Sequence, residues 1–152
     1  ANIDGGININ YNLTPGLKAS VTLNTDFAET EVDDRQINLT RFAIRFPEKR
    51  DFFLEGANIY QFAPRSGVYP YFSRKIGLQS GNPIPVLYGG RIIGKIGKVE
   101  VAAQQVKTRE TDLVNSEDFS VLRLKQNFWK ESSIGILYTR RHTKNGEKRE
   151  SQ

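Results

Sequence analysis

Two neighbouring stretches of this chain alternate apolar and polar residues one for one. Ile7, Ile9, Tyr11 and Leu13 are separated by Asn8, Asn10 and Asn12; Leu17, Ala19, Val21 and Leu23 are separated by Lys18, Ser20 and Thr22. A repeat of two places every apolar side chain on one face of an extended strand, and no helix can satisfy it. Thr14, Pro15 and Gly16 lie between the stretches and suit a three-residue loop, with proline fixing φ and glycine taking the left-handed position. That loop pairs Leu13 with Leu17, Tyr11 with Ala19, Ile9 with Val21 and Ile7 with Leu23. One face of the hairpin is then wholly apolar and the other wholly polar.

Two more hairpins follow from the same pattern. From Arg91 to Val106, Gly97 and Lys98 form a type II′ turn that sets Ile96 opposite Val99, Ile92 opposite Ala103 and Lys95 opposite Glu100 as a cross-strand ion pair. From Phe119 to Arg140, a loop at Trp129, Lys130 and Glu131 sets Leu124 against Ile136, Leu122 against Tyr138 and Lys125 beside Gly135; Val121 and Leu137 break the pattern. The hairpins thus span about 6–24, 91–106 and 119–140, with an irregular insert at about 37–90 inside one domain covering residues 1–152. Within the insert, Leu39, Phe42, Ala43 and Phe46 recur at helical spacing, yet residues 38–46 also alternate, so Ile37 to Phe46 reads equally as helix or strand. Phe46 to Phe62 reads as a specific packed turn, and Tyr69 to Arg74 and Pro85 to Tyr88 as short strands.

Composition narrows the chemistry. The chain has 152 residues, no cysteine and one histidine, which removes disulfide frameworks and thiolate metal sites and leaves little for a catalytic triad. His142 reads as a solvated loop residue. The absence of methionine suggests a processed product or an excised segment, and Asn145-Gly146 signals a further hairpin turn with few residues after it. A net charge of +5 comes from basic residues scattered among acids, without the clustered stripe of a nucleic-acid surface, so no nucleic-acid partner is expected. Mean hydropathy is −0.51 and no stretch is long and apolar enough for a helical span. A membrane barrel strand, however, needs only about 9 to 11 residues with every second one apolar.

Tight turns alternate with longer polar connections, Thr25 to Gln36 and Lys107 to Asp118, as in outer-membrane barrels. Phe27, Tyr69, Tyr71, Phe72, Phe128 and Trp129 fall near predicted strand ends and suit either an interfacial girdle or an ordinary aromatic core. Under the barrel reading Ile7, Ile9, Tyr11, Val21 and Leu23 face lipid, and Asn8, Asn10, Asn12, Lys18, Ser20 and Thr22 face the lumen. Under the rival reading, a soluble β-sandwich or small barrel that binds a carbohydrate or other ligand, the same apolar positions bury a core.

Asp26, Glu29, Glu31, Asp33 and Asp34 gather hard oxygen ligands of the kind calcium takes, although without EF-hand spacing. Gly89 to Lys95 has the spacing of a phosphate-binding loop, but Ile96 stands where a magnesium ligand is needed and the run reads as strand, so it is rejected as a nucleotide site. No catalytic constellation and no cofactor site is legible, and the expectation is a protein that is not an enzyme.

Several blocks carry a family resemblance: Asn24-Thr25-Asp26-Phe27, Glu31-Val32-Asp33, Ile37-Asn38-Leu39-Thr40-Arg41-Phe42, Phe46-Pro47-Glu48-Lys49-Arg50, Phe52-Phe53-Leu54-Glu55-Gly56, Tyr71-Phe72-Ser73-Arg74-Lys75-Ile76-Gly77 and the strand from Gly90 to Gly97. Together they resemble the domain of unknown function 5916 family, found in surface proteins of the Bacteroidetes, usually after a module similar to family 9 carbohydrate-binding domains. The resemblance implies an all-β chain of antiparallel up-and-down hairpins forming the N-terminal portion of an outer-membrane β-barrel, with membrane lipid and the remaining barrel strands or another chain as partners. It implies no reaction. Asp51 stands where the family pattern has proline after Glu-Lys-Arg, a departure expected to loosen that turn.

Overall fold

The alternating stretches are strands. In a computed structural model the described residues are 6–25, 47–62, 70–79, 82–111, 115–128 and 132–143. They form an all-β structure: β1 (Ile7–Thr14), β2 (Leu17–Thr25), the short β3 (Leu78–Gln79) and β4 (Asn82–Pro83), then β5 (Val86–Ile96), β6 (Val99–Thr108), β7 (Glu117–Asn127) and β8 (Ser133–Thr143). Six of these make one antiparallel sheet in the order β1-β2-β5-β6-β7-β8, and β3 pairs with β4 separately. Chain order and sheet order agree, so the sheet is an up-and-down meander interrupted only by the excursion between β2 and β5. β1 and β8 are its two open edges.

The registers follow the side-chain pattern. Ile7 opposes Leu23, Ile9 opposes Val21 and Tyr11 opposes Ala19, but Thr14 rather than Leu13 meets Leu17, with an irregularity between Asn12 and Thr14. The expected three-residue loop is therefore a two-residue turn at Pro15-Gly16 with Leu13 as the extra residue, which keeps the faces aligned while shortening the connection. Ile96 opposes Val99 and Ile92 opposes Ala103, as expected. Gly97 has φ +59° and Lys98 is not left-handed, as a type II′ turn requires. Glu100 lies between Lys95 and Lys125 in the ladders, but its ion pair is with Lys125, at 3.5 Å, and not with Lys95. In the last hairpin Leu124 opposes Ile136, Leu122 opposes Tyr138 and Lys125 opposes Gly135. His142 is a residue of β8, exposed but not in a loop.

The insert contributes little regular structure. A four-residue helix α1 (Asp51–Leu54) and a 3-10 turn (Ser73–Lys75) are its main elements. Residues 70–72 are not a strand, which corrects the reading of Tyr69 to Arg74; β5 does begin at Val86, within the Pro85 to Tyr88 segment. Asp51 opens α1 without loosening it, since the Phe53 and Leu54 amides both donate to the Arg50 carbonyl, at 2.9 and 3.0 Å. The first position of a helix accepts either proline or aspartate. Ile37 to Phe46, and the acidic run from Asp26 to Asp34, lie outside the described residues.

The described residues of the insert pack on one face of the sheet. Phe52, Phe53 and Ile76 cluster with Val86, Val106 and Phe119, and Tyr60 clusters with Ile93, Ala102 and Val121. Val121 and Leu137, which break the alternation of their hairpin, both touch this second cluster. They are apolar because the insert covers them.

The turn of β1-β2 presses closely on β5. Lys95 donates its amide to the Gly16 carbonyl at 2.7 Å, and Gly94, at φ +148°, would with a Cβ strike the Gly16 oxygen and stand 2.8 Å from Leu17 Cα. Gly94→Ala is expected to lower the thermal midpoint, at a cost of about 2 to 3 kcal/mol. Gly90→Ala, where nothing stands within 4 Å, should change stability by less than about 0.5 kcal/mol. A calorimetric scan of both variants checks the pair.

Candidate functional site

A guanidinium in the middle of a sheet must find acceptors or be expelled. Arg91 on β5 is 3% exposed. Its Nη1 donates to the carbonyls of Phe52 and Glu55, the latter at 2.9 Å, and its Nη2 donates to Ser20 Oγ at 3.2 Å and to Glu55 Oε2 at 2.5 Å. The guanidinium also lies 4.9 Å from the centre of the Phe52 ring. Lys18 on β2 reaches the other oxygen of Glu55 at 2.5 Å. One carboxylate thus ties the end of α1 to two strands, and the Phe52 and Glu55 carbonyls are held by Arg91.

A second arginine holds the insert together. Arg50 makes a two-pronged pair with Glu48, Nε to Oε1 and Nη2 to Oε2, both at 2.7 Å. It also donates to the carbonyls of Ile76 at 2.6 Å and Ser73 at 2.8 Å, and lies 4.1 Å from the Phe53 ring centre. The Ser73 hydroxyl donates to Glu48 Oε2 at 2.5 Å. Phe52 and Phe53 meet edge to face, 5.1 Å between centroids and 87° between planes, so each ring serves one arginine. Gly89 leaves room for Phe52; a Cβ there would stand 3.2 Å from Phe52 Cζ and 2.8 Å from Thr22 Cγ2.

These contacts set the titration of the carboxylates. Burial pushes Glu48 up, but hydrogen bonds from Arg50 and Ser73 and the Arg50 charge outweigh it and leave its pKa below the ordinary 4.5. Glu55 is also lowered, chiefly by the hydrogen bond from Lys18; burial opposes this as the next-largest effect, and the Arg91 and Lys18 charges add to the lowering. Tyr60 and Tyr71, whose rings tilt together at 5.1 Å, are both raised, chiefly by burial. Tyr71 accepts a hydrogen bond from Gln104 at 3.2 Å, whereas the Tyr60 hydroxyl has no partner among the described residues. Tyr71 therefore belongs to the packed interior and not to a girdle; Phe72 beside it is half-buried. Of the other girdle candidates Phe128 is exposed, and Phe27, Tyr69 and Trp129 lie outside the described residues.

The six polar positions singled out by alternation share the face on which the insert lies. Ser20 and Thr22 are buried, at 3% and 0%, Lys18 is half-buried on Glu55, and Asn8, Asn10 and Asn12 are exposed on the edge strand. The asparagines line a groove against α1. Two cavities open from it on either side of Glu55: one of about 80 Å³ between Asn8, Asn10, Asp51 and Arg91, and one of about 260 Å³ between Asn12, Lys18 and Ile59. Amides, carboxylates and a lysine ammonium there can donate and accept hydrogen bonds with a polar solute. Among the described residues no group of three metal-ligating side chains stands together. Gly89 to Lys95 is strand β5 with no helix after it, so the phosphate-loop geometry is absent. Sequence reasoning missed Arg91 and Arg50 as organising residues. The only signal was that Arg91 occupies the inward phase of an otherwise apolar or small strand.

An antiparallel all-β wall with one arginine-anchored insert defines the structural class. The first 89 residues match the family model for the domain of unknown function DUF5916, and the chain belongs to that family. No curated protein and no solved structure matches it. Of the blocks of sequence that carried the resemblance, Glu48 to Arg50, Phe52 to Gly56, Ser73 to Gly77 and the Gly90 to Gly97 strand supply the two arginine clusters; the strand lies beyond the 89 matched residues.

Arg91→Gln should leave Glu55 and two carbonyls without their buried partner, a loss of about 3 to 5 kcal/mol, and should open residues 47–62 to limited proteolysis. Lys18→Gln, on a half-exposed pair, should cost no more than about 1 kcal/mol and leave the cleavage pattern unchanged. Because the folded pKa values of Glu48 and Glu55 are depressed, their contribution is present above the unfolded value and is lost as pH falls through the folded ones. The protection factors of the Phe53 and Leu54 amides, that is, exchange relative to the free amide at the same pH, should therefore fall on acidification below about pH 4. Glu48→Gln should remove most of that pH dependence and lower the protection factors at neutral pH.

Proposed function

We propose that this chain is a wall segment of a bacterial outer-membrane β-barrel, with the insert occupying the interior beside it. The observation that carries the reading is an inverted distribution of polarity. The face left bare presents Ile7, Ile9, Tyr11, Val21, Leu23, Ile92, Ile96, Leu122, Ile134, Ile136 and Tyr138, with Tyr11 and Ile136 each 67% exposed. The covered face buries Ser20, Thr22, Arg91, Gln104, Thr108, Glu117 and Arg123. A water-soluble sheet does the reverse, because each bare side chain of this size forgoes about 1.5 to 3 kcal/mol of burial. A bare face bearing this many large apolar side chains fits hydrocarbon as its natural solvent.

Backbone chemistry supports the same reading. Among the described residues no strand pairs with the outer edges of β1 and β8, and such edges are tolerated in lipid only if further strands complete the ring. The long connections, 26–85 and 109–116, leave one end of the sheet, and the short turns at Pro15-Gly16 and Gly97-Lys98 leave the other. That asymmetry puts the long connections on the outer side of the membrane. An interior packed by the chain's own insert favours anchoring or gated passage over an open diffusion pore. Membrane lipid and further strands, from the same protein or another chain, are the partners this role requires.

Purified without detergent, the chain is expected to pellet or to associate through its bare face and open edges. In detergent it should be monodisperse with a β-rich circular dichroism spectrum. A stable detergent-free monomer by light scattering would overturn the proposal and favour a soluble ligand-binding sheet.

A further inference from the structure

The cover that the insert lays on the sheet ends in a step between β7 and β8. In the register of that pair Phe119 opposes Arg141 and Val121 opposes Thr139. Phe119 and Val121 are buried beneath the insert, whereas their partners on the same face, Arg141 and Thr139, are exposed. A cavity of about 140 Å³ lies at the step, between the 3-10 turn and the two strands. Tyr71, Phe72, Ile76, Phe119 and Val121 make most of its wall apolar.

The charges around this cavity are all of one sign. Lys75, Arg140 and Arg141 line it, and no acidic residue does. Arg141 gives Nε and Nη2 to Glu117 Oε1, at 3.1 and 2.5 Å, which leaves its Nη1 without an acceptor among the described residues. Lys75 is exposed, and its ammonium likewise has no acceptor among the described residues. The cavities beside Glu55 are different, because there Glu55 and Asp51 offset Lys18 and Arg91. An apolar space with surplus positive charge in its wall selects a ligand with an apolar body and one negative group.

We propose that this cavity binds a small monocarboxylate whose body is a single aromatic ring or a short branched alkyl chain, and whose carboxylate is held by Lys75 and Arg141. Size sets the limit on the body, since an apolar cavity of about 150 Å³ takes one benzene ring. Tyr71, Phe119 and Val121 pack against that body. Arg141 keeps Glu117 and uses its remaining Nη1 for the ligand, as the five donors of a guanidinium allow. The site lies on the covered face, so it does not depend on whether the bare face meets lipid.

The full chain in a non-ionic detergent is titrated with 4-fluorobenzoate and with its neutral counterpart 4-fluorobenzyl alcohol, both observed by fluorine NMR against a blank of detergent alone. If the chain is a detergent-free monomer, the same titration is made in buffer. The benzoate should bind saturably with a Kd of about a millimolar or below, within reach of a ligand of about ten heavy atoms. The alcohol should bind at least about tenfold more weakly. Lys75→Gln, at an exposed position with no side-chain partner to lose, should weaken the benzoate about tenfold and leave the alcohol unchanged. Thr139→Phe, which fills the cavity from the exposed strand, should abolish saturable binding of both with the circular dichroism spectrum unaltered. Absence of saturable benzoate binding, equal affinity for the two ligands, or benzoate binding that neither substitution alters overturns the proposal.

Discussion

A charged side chain cannot be left uncompensated in the middle of a sheet, and Arg91 is the point from which the rest of this structure is organised. Its acceptors are a serine of the neighbouring strand, two main-chain carbonyls at the ends of α1 and one carboxylate. None of these except Ser20 belongs to the sheet, so the insert must come to the sheet for the charge to be satisfied. The same carboxylate holds Lys18, which adds β2 to the contact. Arg50 then fixes the internal shape of the insert by tying Glu48 to the carbonyls of Ser73 and Ile76.

This anchoring explains why the covered face buries polar as well as apolar residues. Along β5 to β7 the inward positions alternate between groups that bond to the insert, such as Arg91 and Gln104, and groups that pack against it, such as Ile93, Ala102 and Val121. The most exposed outward positions carry large aliphatic and tyrosine side chains, such as Tyr11, Ile134, Ile136 and Tyr138. A face selected only for solvent would not be built this way, and a face covered by a second sheet would not leave Ile134 and Ile136 bare.

Much of the sheet was legible because period-two alternation fixes which face a residue takes, and two-residue turns fix register. The Gly97-Lys98 and β7-β8 registers follow from this without adjustment. The β1-β2 turn departs by one residue at Leu13, because a bulge lets the chain choose the shorter turn without flipping a face. The Lys95-Glu100 pair failed for a different reason: the sheet offers Glu100 a second lysine across β7, and hairpin reasoning sees only one neighbour. Tyr71 was ambiguous between girdle and core because an aromatic near a strand end carries no sign of which side of the sheet it will meet.

By itself the sequence determined that the chain makes antiparallel hairpins with one greasy and one polar side, since that is a matter of local periodicity. It also marked the blocks shared with the DUF5916 family. Only the tertiary structure decided which side would be covered. Burial depends on where a distant segment lands, and the landing is set by two arginines, Arg50 and Arg91, whose farthest hydrogen-bond partners among the described residues, Ile76 and Ser20, lie 26 and 71 residues away. No local pattern encodes a contact of that span, because its free energy is realised only when both ends are already in place.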